Sequence, residues 1–255
     1  MLDTPDGAHI ACRHVRGAAP GVLFCGGFRS DMTGTKAVTL EDWATTRGAA
    51  FTRFDYHGHG ASDGAFSDGT IGRWLEDALL VLDRVTEGPV VVVGSSMGAW
   101  IATLLALARP ARVAGLVLIA PALDFTETLI WERLPDEDRA ILMRDGVWLR
   151  RSDYSDEPDE ITWRLIEEGR DHLLLDAPIA FPRPVRILQG TADETVPWRH
   201  AVRTMEALDS SDVTLTLVKN GDHRLSDPAN LERILQATDE VVRLVAHSSP
   251  RSPSR

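Results

Sequence analysis

The sequence has few cysteines, no long hydrophobic run and no internal repeat. Its two cysteines among 255 residues, Cys12 and Cys25, fall in predicted strands, which favours buried apolar side chains in a reducing compartment. No run approaches the roughly 18 apolar residues of a membrane-spanning helix, so we expect no stable membrane insertion. Residues 1–7 have neither a basic start nor an apolar core. We therefore expect no signal peptide and a cytoplasmic location.

Basic side chains are also in deficit. Lys and Arg number 27 against 38 Asp and Glu, giving a net charge of −11, which argues against nucleic acid or an anionic membrane as a partner. His57 and His59 lie one residue apart in a glycine-rich stretch, but no cluster of further metal ligands accompanies them. A turn is the better interpretation, and we predict neither a metal nor another cofactor.

The most informative stretch is a valine run that leads into a G-x-S-x-G motif. The run at 90–93 is short and β-branched, which predicts a buried parallel strand. Gly94 to Gly98 follow with Ser96 at the centre, and 99–109 has a helical pattern. Strand, sharp turn and helix in this order form the nucleophile elbow of the α/β-hydrolase fold.

The chemistry explains the spacing of the motif. Ser96 has to stand at the tip of a strained turn so that its Oγ points into the site, while Gly94 and Gly98 avoid clashes where strand and helix crowd together. The N–H of Met97 then lies at the helix N-terminus and is available to an oxyanion. The alternative is an ordinary Gly/Ser turn in which Ser96 caps the helix.

Strands and helices alternate along most of the chain, which predicts a mainly parallel sheet flanked by helices. A turn is predicted at 17–20 between the first two strands. The predicted strands are 8–15, 21–25, 50–55, 90–93, 113–119, 185–189 and 213–218. The predicted helices outside the insertion described next are 35–47, 70–85, 99–109, 198–208 and 227–245.

A charged, mostly helical segment interrupts this alternation at 124–180. Because it follows the C-terminal end of a strand, we expect it to cover the active-site face as a lid; a helical excursion packed away from the site is the alternative. The domain prediction is thus an α/β-hydrolase core at 1–123 and 181–247, a helical lid, and a disordered tail at 248–255. The insertion contains three tryptophans, each more typical of core packing than of a substrate wall: Trp131, Trp148 and Trp163.

Two further residues complete a candidate catalytic triad. The fold requires a serine, an acid and a histidine in that order, each just after a strand. Asp193 follows the strand that ends at Gln189, and His223 follows the last strand. His223 is the predicted general base for Ser96, and Asp193 would orient its imidazole. Asp124, one strand earlier, is the rival acid; we prefer Asp193 because a tight loop frames it.

A second oxyanion donor is predicted after the second strand. The glycine pair 26–27 lies at the position where the fold places this donor, and the backbone N–H of Phe28 is our candidate. A plain turn before the next helix is an equally good interpretation of these residues.

Several short segments resemble the mitochondrial α/β-hydrolase family of mycophenolic acid acyl-glucuronide esterases and palmitoyl-protein thioesterases. The resemblance spans about residues 20 to 245 and includes part of the insertion. It implies that Ser96, Asp193 and His223 match the family triad, and that the activity is hydrolysis of acyl-glucuronide esters or S-acyl thioesters. The segments are Gly34–Ala37, Arg53–Tyr56, Ser62–Gly64, Gly94–Trp100, Gly146–Trp148, Val196–Trp198 and Asp222–Arg224.

The chain departs from this family in two respects. We expect no transit peptide, as in a cytoplasmic bacterial relative, and Gly26 stands where the relative has proline. Our leading hypothesis is a cofactor-free serine hydrolase acting on a small-molecule ester or thioester, with an S-acylated protein as a further candidate substrate. The alternatives are carbon–carbon bond hydrolysis or perhydrolysis by the same triad, and a non-catalytic ligand-binding protein.

Overall fold

The computed structural model of the chain describes residues 1–150 and 158–248. Short strands and long helices alternate through most of this range, as the sequence predicts. The strands of the described ranges are β1 (Leu2–Asp3), β2 (His9–Ile10), β3 (Cys12–Val15), β4 (Ala18–Cys25), β5 (Ala49–Phe54), β6 (Val90–Ser95), β7 (Val113–Ile119), β8 (Val147–Arg150), β9 (Asp159–Thr162), β10 (Val185–Gly190) and β11 (Val213–Val218).

Seven of these strands form one twisted central sheet. Their spatial order is β11-β10-β7-β6-β4-β5-β3. In this spatial order, adjacent strands from β11 through β5 run parallel to each other. Within the sheet, only the edge strand β3 is antiparallel to its partner, β5. The predicted mainly parallel sheet is confirmed.

The valine run of β6 lies at the centre of the sheet and is buried on both faces. Val90 and Val92 belong to one apolar cluster, and Val91 and Val93 belong to a second cluster on the opposite face. Such burial on both sides explains why the strand is continuously apolar instead of alternating.

Helices cover both faces of the sheet. Helices α2 and α3 contribute to the cluster with Val90, whereas α1 and α7 contribute to the cluster with Val91. No helix in the described ranges is long and apolar enough to cross a membrane. The helices are α1 (Thr35–Arg47), α2 (Ile71–Val85), α3 (Met97–Ala108), α4 (Asp136–Asp145), α5 (Trp163–Gly169), α6 (Trp198–Ala207) and α7 (Pro228–Ser248).

The beginning of the chain differs from the sequence prediction in two places. The predicted turn at 17–20 is wrong, because β4 begins at Ala18. The N–H of Ala18 donates to Gly48 at 2.7 Å, and the residue pairs with β5 across a register shift. The predicted strand 8–15 is divided at Ala11 into β2, which pairs with β1, and β3, which pairs with β5. Both differences arise from strand pairing that the local sequence pattern does not show.

The segment 124–180 connects β7 to β10 and lies outside the central sheet. It contains α4 and α5, but also the antiparallel pair β8–β9, so the prediction of a mostly helical segment missed a pair of strands. At the C-terminus, α7 continues to Ser248. Residues 249–255 of the predicted tail lie outside the described residues.

Candidate active site

Ser96 occupies the sharp turn between β6 and α3. Its backbone has φ 56° and ψ −121°, a combination that non-glycine residues rarely adopt. Its N–H donates to the carbonyl of Ile119 on the neighbouring strand at 2.8 Å, which helps to hold the turn. The structure therefore places Ser96 in the strained conformation that the motif predicts.

The two glycines of the motif are required by close backbone contacts. A Cβ on Gly98 would lie 2.1 Å from the carbonyl oxygen of Cys25, at the end of β4. A Cβ on Gly94 would lie 2.3 Å from the carbonyl oxygen of Gly98. Any side chain at either position would force the helix away from the sheet, and the serine at the tip would move with it.

The structure brings Ser96, His223 and Asp193 into one hydrogen-bonded chain. Ser96 Oγ lies 3.0 Å from His223 Nε2, and His223 Nδ1 lies 2.7 Å from Asp193 Oδ2. Since a carboxylate can only accept, Nδ1 carries the hydrogen and the Nε2 lone pair faces the serine. In this tautomer the imidazole is ready to accept the proton of the serine hydroxyl.

Asp193 is held by a dense set of donors. Its Oδ1 accepts hydrogen bonds from the N–H groups of Thr195 at 2.9 Å and Val196 at 2.8 Å. Its Oδ2 accepts one from Gln189 Nε2 at 2.9 Å in addition to that from His223. The side chain is fully buried, so these donors compensate for the lost hydration of its negative charge.

Gln189 is a site residue that sequence reasoning did not assign. It is fully buried near the end of β10, and its amide also donates to the carbonyl of Val196 at 3.0 Å. The available signal was a polar residue that follows the apolar pair Ile187–Leu188 near the end of the strand, four positions before the candidate acid.

The rival acid, Asp124, has different partners. Its carboxylate accepts hydrogen bonds from the N–H groups of Leu174 at 2.9 and 3.1 Å and of Leu175 at 2.8 Å. Burial raises the pKa of this carboxyl above its usual value, although these two N–H groups oppose the shift. Asp124 thus joins the beginning of the 124–180 insertion to its later part.

The loop after β4 packs directly on the nucleophile turn. A Cβ on Gly27 would lie 3.2 Å from the carbonyl oxygen of Ser95 and 3.4 Å from Cβ of Ser96. The loop that carries Phe28 is thus in contact with the serine turn, and Met97 follows Ser96 as the first residue of α3. The assignment of their N–H groups as oxyanion donors stays a prediction.

An aromatic wall stands beside this loop. The ring of Phe28 makes edge contacts with Phe66 at 4.8 Å, Phe125 at 5.7 Å and Trp74 at 6.0 Å between centroids. Phe125 also packs against the buried Trp100 of α3 at 5.8 Å. The surroundings of the candidate oxyanion donor are thus largely apolar and aromatic.

The insertion contacts both helix α3, which follows the serine, and the loop after β4. Trp100, four residues after Ser96, donates from Nε1 to the carbonyl of His172 at 3.0 Å. Arg29, next to Phe28, lies 3.4 Å from the carboxylate of Asp159 in β9. Its guanidinium also lies 4.4 Å from the centroid of the Phe66 ring.

The histidine pair at 57 and 59 forms part of a structural loop. His59 Nδ1 lies 3.1 Å from the carbonyl of His57, and Arg73 approaches the His57 ring at 3.3 Å. Burial lowers the pKa of His59 to about 4, so its imidazole is neutral at pH 7. In 1–150 and 158–248, no group of three or more His, Cys, Asp or Glu side chains is arranged to hold a metal.

Comparison with known proteins decides the family. Bovine mitochondrial palmitoyl-protein thioesterase ABHD10 is 38% identical over 243 residues, covering 95% of this chain and 79% of the bovine protein. The human protein is 36% identical over the same length. The chain belongs to the ABHD10 family of α/β-hydrolases. A family model described as serine aminopeptidase, S33, also matches residues 19–144 of this ABHD10 relative.

Solved structures agree with this assignment. Mouse α/β-hydrolase domain-containing protein 10 superposes with a TM-score of 0.90 at 36% identity, covering 96% of this chain and 98% of the mouse chain. A protein from Agrobacterium vitis S4, described as a hydrolase, gives a TM-score of 0.91 at 46% identity, with 94% and 96% covered. The predicted fold and family are confirmed, and so is the class of the enzyme, a hydrolase of the ester and thioester type.

Proposed function

We propose that this ABHD10 relative is a serine hydrolase that cleaves carboxylic ester or thioester bonds through Ser96, His223 and Asp193. The observation that carries the proposal is the continuous hydrogen-bonded chain from Ser96 Oγ to Asp193, with distances of 3.0 and 2.7 Å, at the tip of a strained turn. Three side chains from distant parts of the sequence meet there in the geometry that nucleophilic catalysis needs.

The first half of the reaction transfers the acyl group to the enzyme. His223 Nε2 takes the proton of Ser96 Oγ as the oxygen attacks the carbonyl carbon of the substrate. The negative charge on the carbonyl oxygen is stabilised by the N–H groups of Met97 and Phe28, each contributing about 3 kcal/mol. The buried carboxylate of Asp193 stabilises the imidazolium that forms.

The second half releases the acid. The imidazolium gives its proton to the departing alkoxide or thiolate, which leaves the acyl group on Ser96 Oγ. His223 then removes a proton from a water molecule, whose oxygen attacks the acyl carbonyl. Collapse of this second tetrahedral intermediate returns the proton to Ser96 and frees the carboxylic acid.

The insertion at 124–180 is proposed to be a lid that borders the acyl pocket. Its residue Phe125 packs between Phe28 and Trp100, which lie on either side of the nucleophile turn, and its strand β9 contacts Arg29. An apolar wall at this position favours a substrate with a hydrocarbon acyl chain. The names of the curated relatives, palmitoyl-protein thioesterases, support a long chain and make an S-acylated protein a candidate substrate.

A hydrolysis panel tests the proposal. Wild type and Ser96→Ala are compared on p-nitrophenyl esters from C2 to C16, an acyl thioester and an acyl glucuronide. We expect turnover with a chain-length optimum in the wild type and a loss of about 10⁴-fold or more in the variant. If the folded wild type hydrolysed none of these substrates, the result would contradict the proposal and favour a ligand-binding role. Activity only on carbon–carbon substrates or peroxide would instead favour the alternative uses of the triad.

A further inference from the structure

One family-specific segment, Gly34–Ala37, has no part in the mechanism above. It forms the start of α1, directly after the loop that carries Phe28, and it includes Lys36. The side chain of Lys36 is half-buried although it carries an ammonium group. A charged group in such a place needs a specific partner to compensate for its lost hydration.

The partner of Lys36 lies 188 positions further along the chain. Its Nζ donates a hydrogen bond to the carbonyl oxygen of Arg224 at 2.8 Å and lies 3.5 Å from Ser226 Oγ. Arg224 is the residue directly after His223. The ammonium therefore links the helix that follows the candidate oxyanion loop to the loop that carries the candidate general base.

The histidine loop needs such support, because its backbone is strained. Leu225 has φ 46°, which is unfavourable for a branched side chain, and it is fully buried. Its N–H donates to Asp222 Oδ1 at 2.8 Å. This bond closes the loop from within, whereas Lys36 holds the Arg224 carbonyl from outside the loop.

We propose that Lys36 is a positioning residue, which fixes the imidazole of His223 relative to Ser96 and Phe28 by holding the carbonyl of Arg224. The inference rests on the proposed function of these three residues. A small rotation of the histidine loop would lengthen the Ser96–His223 distance of 3.0 Å, and proton transfer is highly sensitive to that separation.

The charge of Lys36 gives this role a pH dependence. Burial lowers the pKa of Lys36 to about 8; Arg224 acts in the same direction, and Asp222 opposes them. Above that pH the neutral amine is a weaker donor to the Arg224 carbonyl. We therefore expect kcat of the wild type to decline with one deprotonation near pH 8, while KM changes little.

Three variants test this role, because the chain has two lysines and the second is a matched control. Lys36→Met removes the donor, Lys36→Arg keeps a donor that stays charged, and Lys219→Met changes an exposed lysine four residues before His223. The parameters kcat and KM are measured from pH 6 to 10 on the ester that the wild type hydrolyses best.

We expect Lys36→Met to lower kcat about 10- to 100-fold with KM almost unchanged, and to lose the decline near pH 8. Lys36→Arg should restore part of kcat and show no decline, whereas Lys219→Met should behave as the wild type. A folded Lys36→Met with wild-type kcat, or a decline near pH 8 that persists in Lys36→Arg, would overturn the inference. Absence of Ser96-dependent turnover in the wild type would instead refute the proposed function.

A measurement on the unaltered protein covers the case in which Lys36→Met does not fold. Carbon-13 NMR of the lysine side chains should show a resonance, that of Lys36, which titrates near pH 8. The downfield proton resonance of His223 Nδ1–H should broaden over the same range in which Lys36 titrates. Absence of a lysine resonance that titrates near pH 8, or a histidine resonance unchanged across pH 8, would overturn the inference.

Discussion

At the scale of single residues, the hydrogen bonds of Asp193 lead to a prediction for its amide variant. The carboxylate accepts four hydrogen bonds and donates none. In Asp193→Asn, an NH₂ group must face one of these donors or the His223 ring, which disturbs the tautomer with its lone pair toward Ser96. We expect kcat to fall about 10³- to 10⁴-fold. Steady-state kinetics on the preferred ester measures the loss.

The neighbouring acid provides a control for that experiment. Glu194 is exposed and lies next to Asp193 in the same loop. Glu194→Gln should keep kcat within about twofold of wild type, as surface substitutions generally do. A large loss in this variant with none in Asp193→Asn would show that the acid of the triad has been misassigned.

Asp77 gives a stability prediction. Burial raises its pKa to about 6, above the ordinary 3.8, so the native state holds the proton more tightly than the unfolded chain does. The contribution of Asp77 to the free energy of unfolding therefore declines as the pH rises from about 4 to about 6.

In the wild type the N–H of His57 lies 2.8 Å from the Asp77 carboxylate. The amide oxygen of Asp77→Asn can still accept this hydrogen bond. We expect the free energy of unfolding of the variant to exceed that of the wild type by up to about 3 kcal/mol at pH 7. Its decline between pH 4 and pH 6 should be smaller than in the wild type. Urea unfolding at several pH values measures both quantities. An unchanged pH dependence in the variant would show that Asp77 does not titrate in this range.

At the scale of elements, the nucleophile turn depends on close packing between α3 and β4. A Cβ in Gly98→Ala would meet the carbonyl oxygen of Cys25 at 2.1 Å, so helix and strand must separate. We expect a stability loss of about 1–3 kcal/mol and a larger proportional loss of activity. Gly21→Ala is the matched control, because its Cβ would lie at an ordinary 3.5 Å from Ala50. Thermal unfolding and esterase assays on both variants check the prediction.

The stability of the insertion at 124–180 depends in part on the hydrogen bonds of Asp124. Asp124→Ala leaves the N–H groups of Leu174 and Leu175 without their acceptor, at a cost of about 1–3 kcal/mol. We expect limited proteolysis to cleave the insertion faster in Asp124→Ala than in the wild type. Asp124→Asn keeps one acceptor oxygen, so its rate of cleavage should lie between the two. If Asp124→Asn lost activity as completely as Ser96→Ala, Asp124 would be the better candidate for the catalytic acid.

The sequence predicts a helix or strand well where the local pattern of apolar residues matches the burial of those residues in the folded protein. The valines of β6 are buried on both faces, and a continuous apolar run indicates that directly. The beginning of β4 and the pair β8–β9 were missed because they depend on partners such as Gly48, which no local pattern reveals.

Some site residues can likewise be proposed from the sequence, whereas others need the folded structure. The candidate triad of Ser96, Asp193 and His223 follows strands at positions that the fold fixes, so the order of elements along the chain is enough to propose it. The contact of Lys36 with Arg224 joins positions 188 apart, and only the folded chain shows it.

At the scale of the whole molecule, the parallel sheet explains how the site is assembled. Ser96, Asp193 and His223 follow β6, β10 and β11, respectively. Because these strands run parallel, their carboxyl ends lie at one edge of the sheet, with β7 between β6 and β10. The loops at this edge can vary while the sheet stays rigid, so in the proposed function the fold fixes the candidate triad and the insertion sets the choice of substrate.

Trapping the acyl-enzyme would test covalent catalysis by Ser96. Wild type, His223→Ala and Ser96→Ala are mixed with a p-nitrophenyl ester, quenched in acid and analysed by intact-protein and peptide mass spectrometry. We predict one acyl group on Ser96 in the wild type, slower formation and breakdown of this adduct in His223→Ala, and none in Ser96→Ala. Undiminished turnover by Ser96→Ala, or an acyl group on another residue, would contradict it.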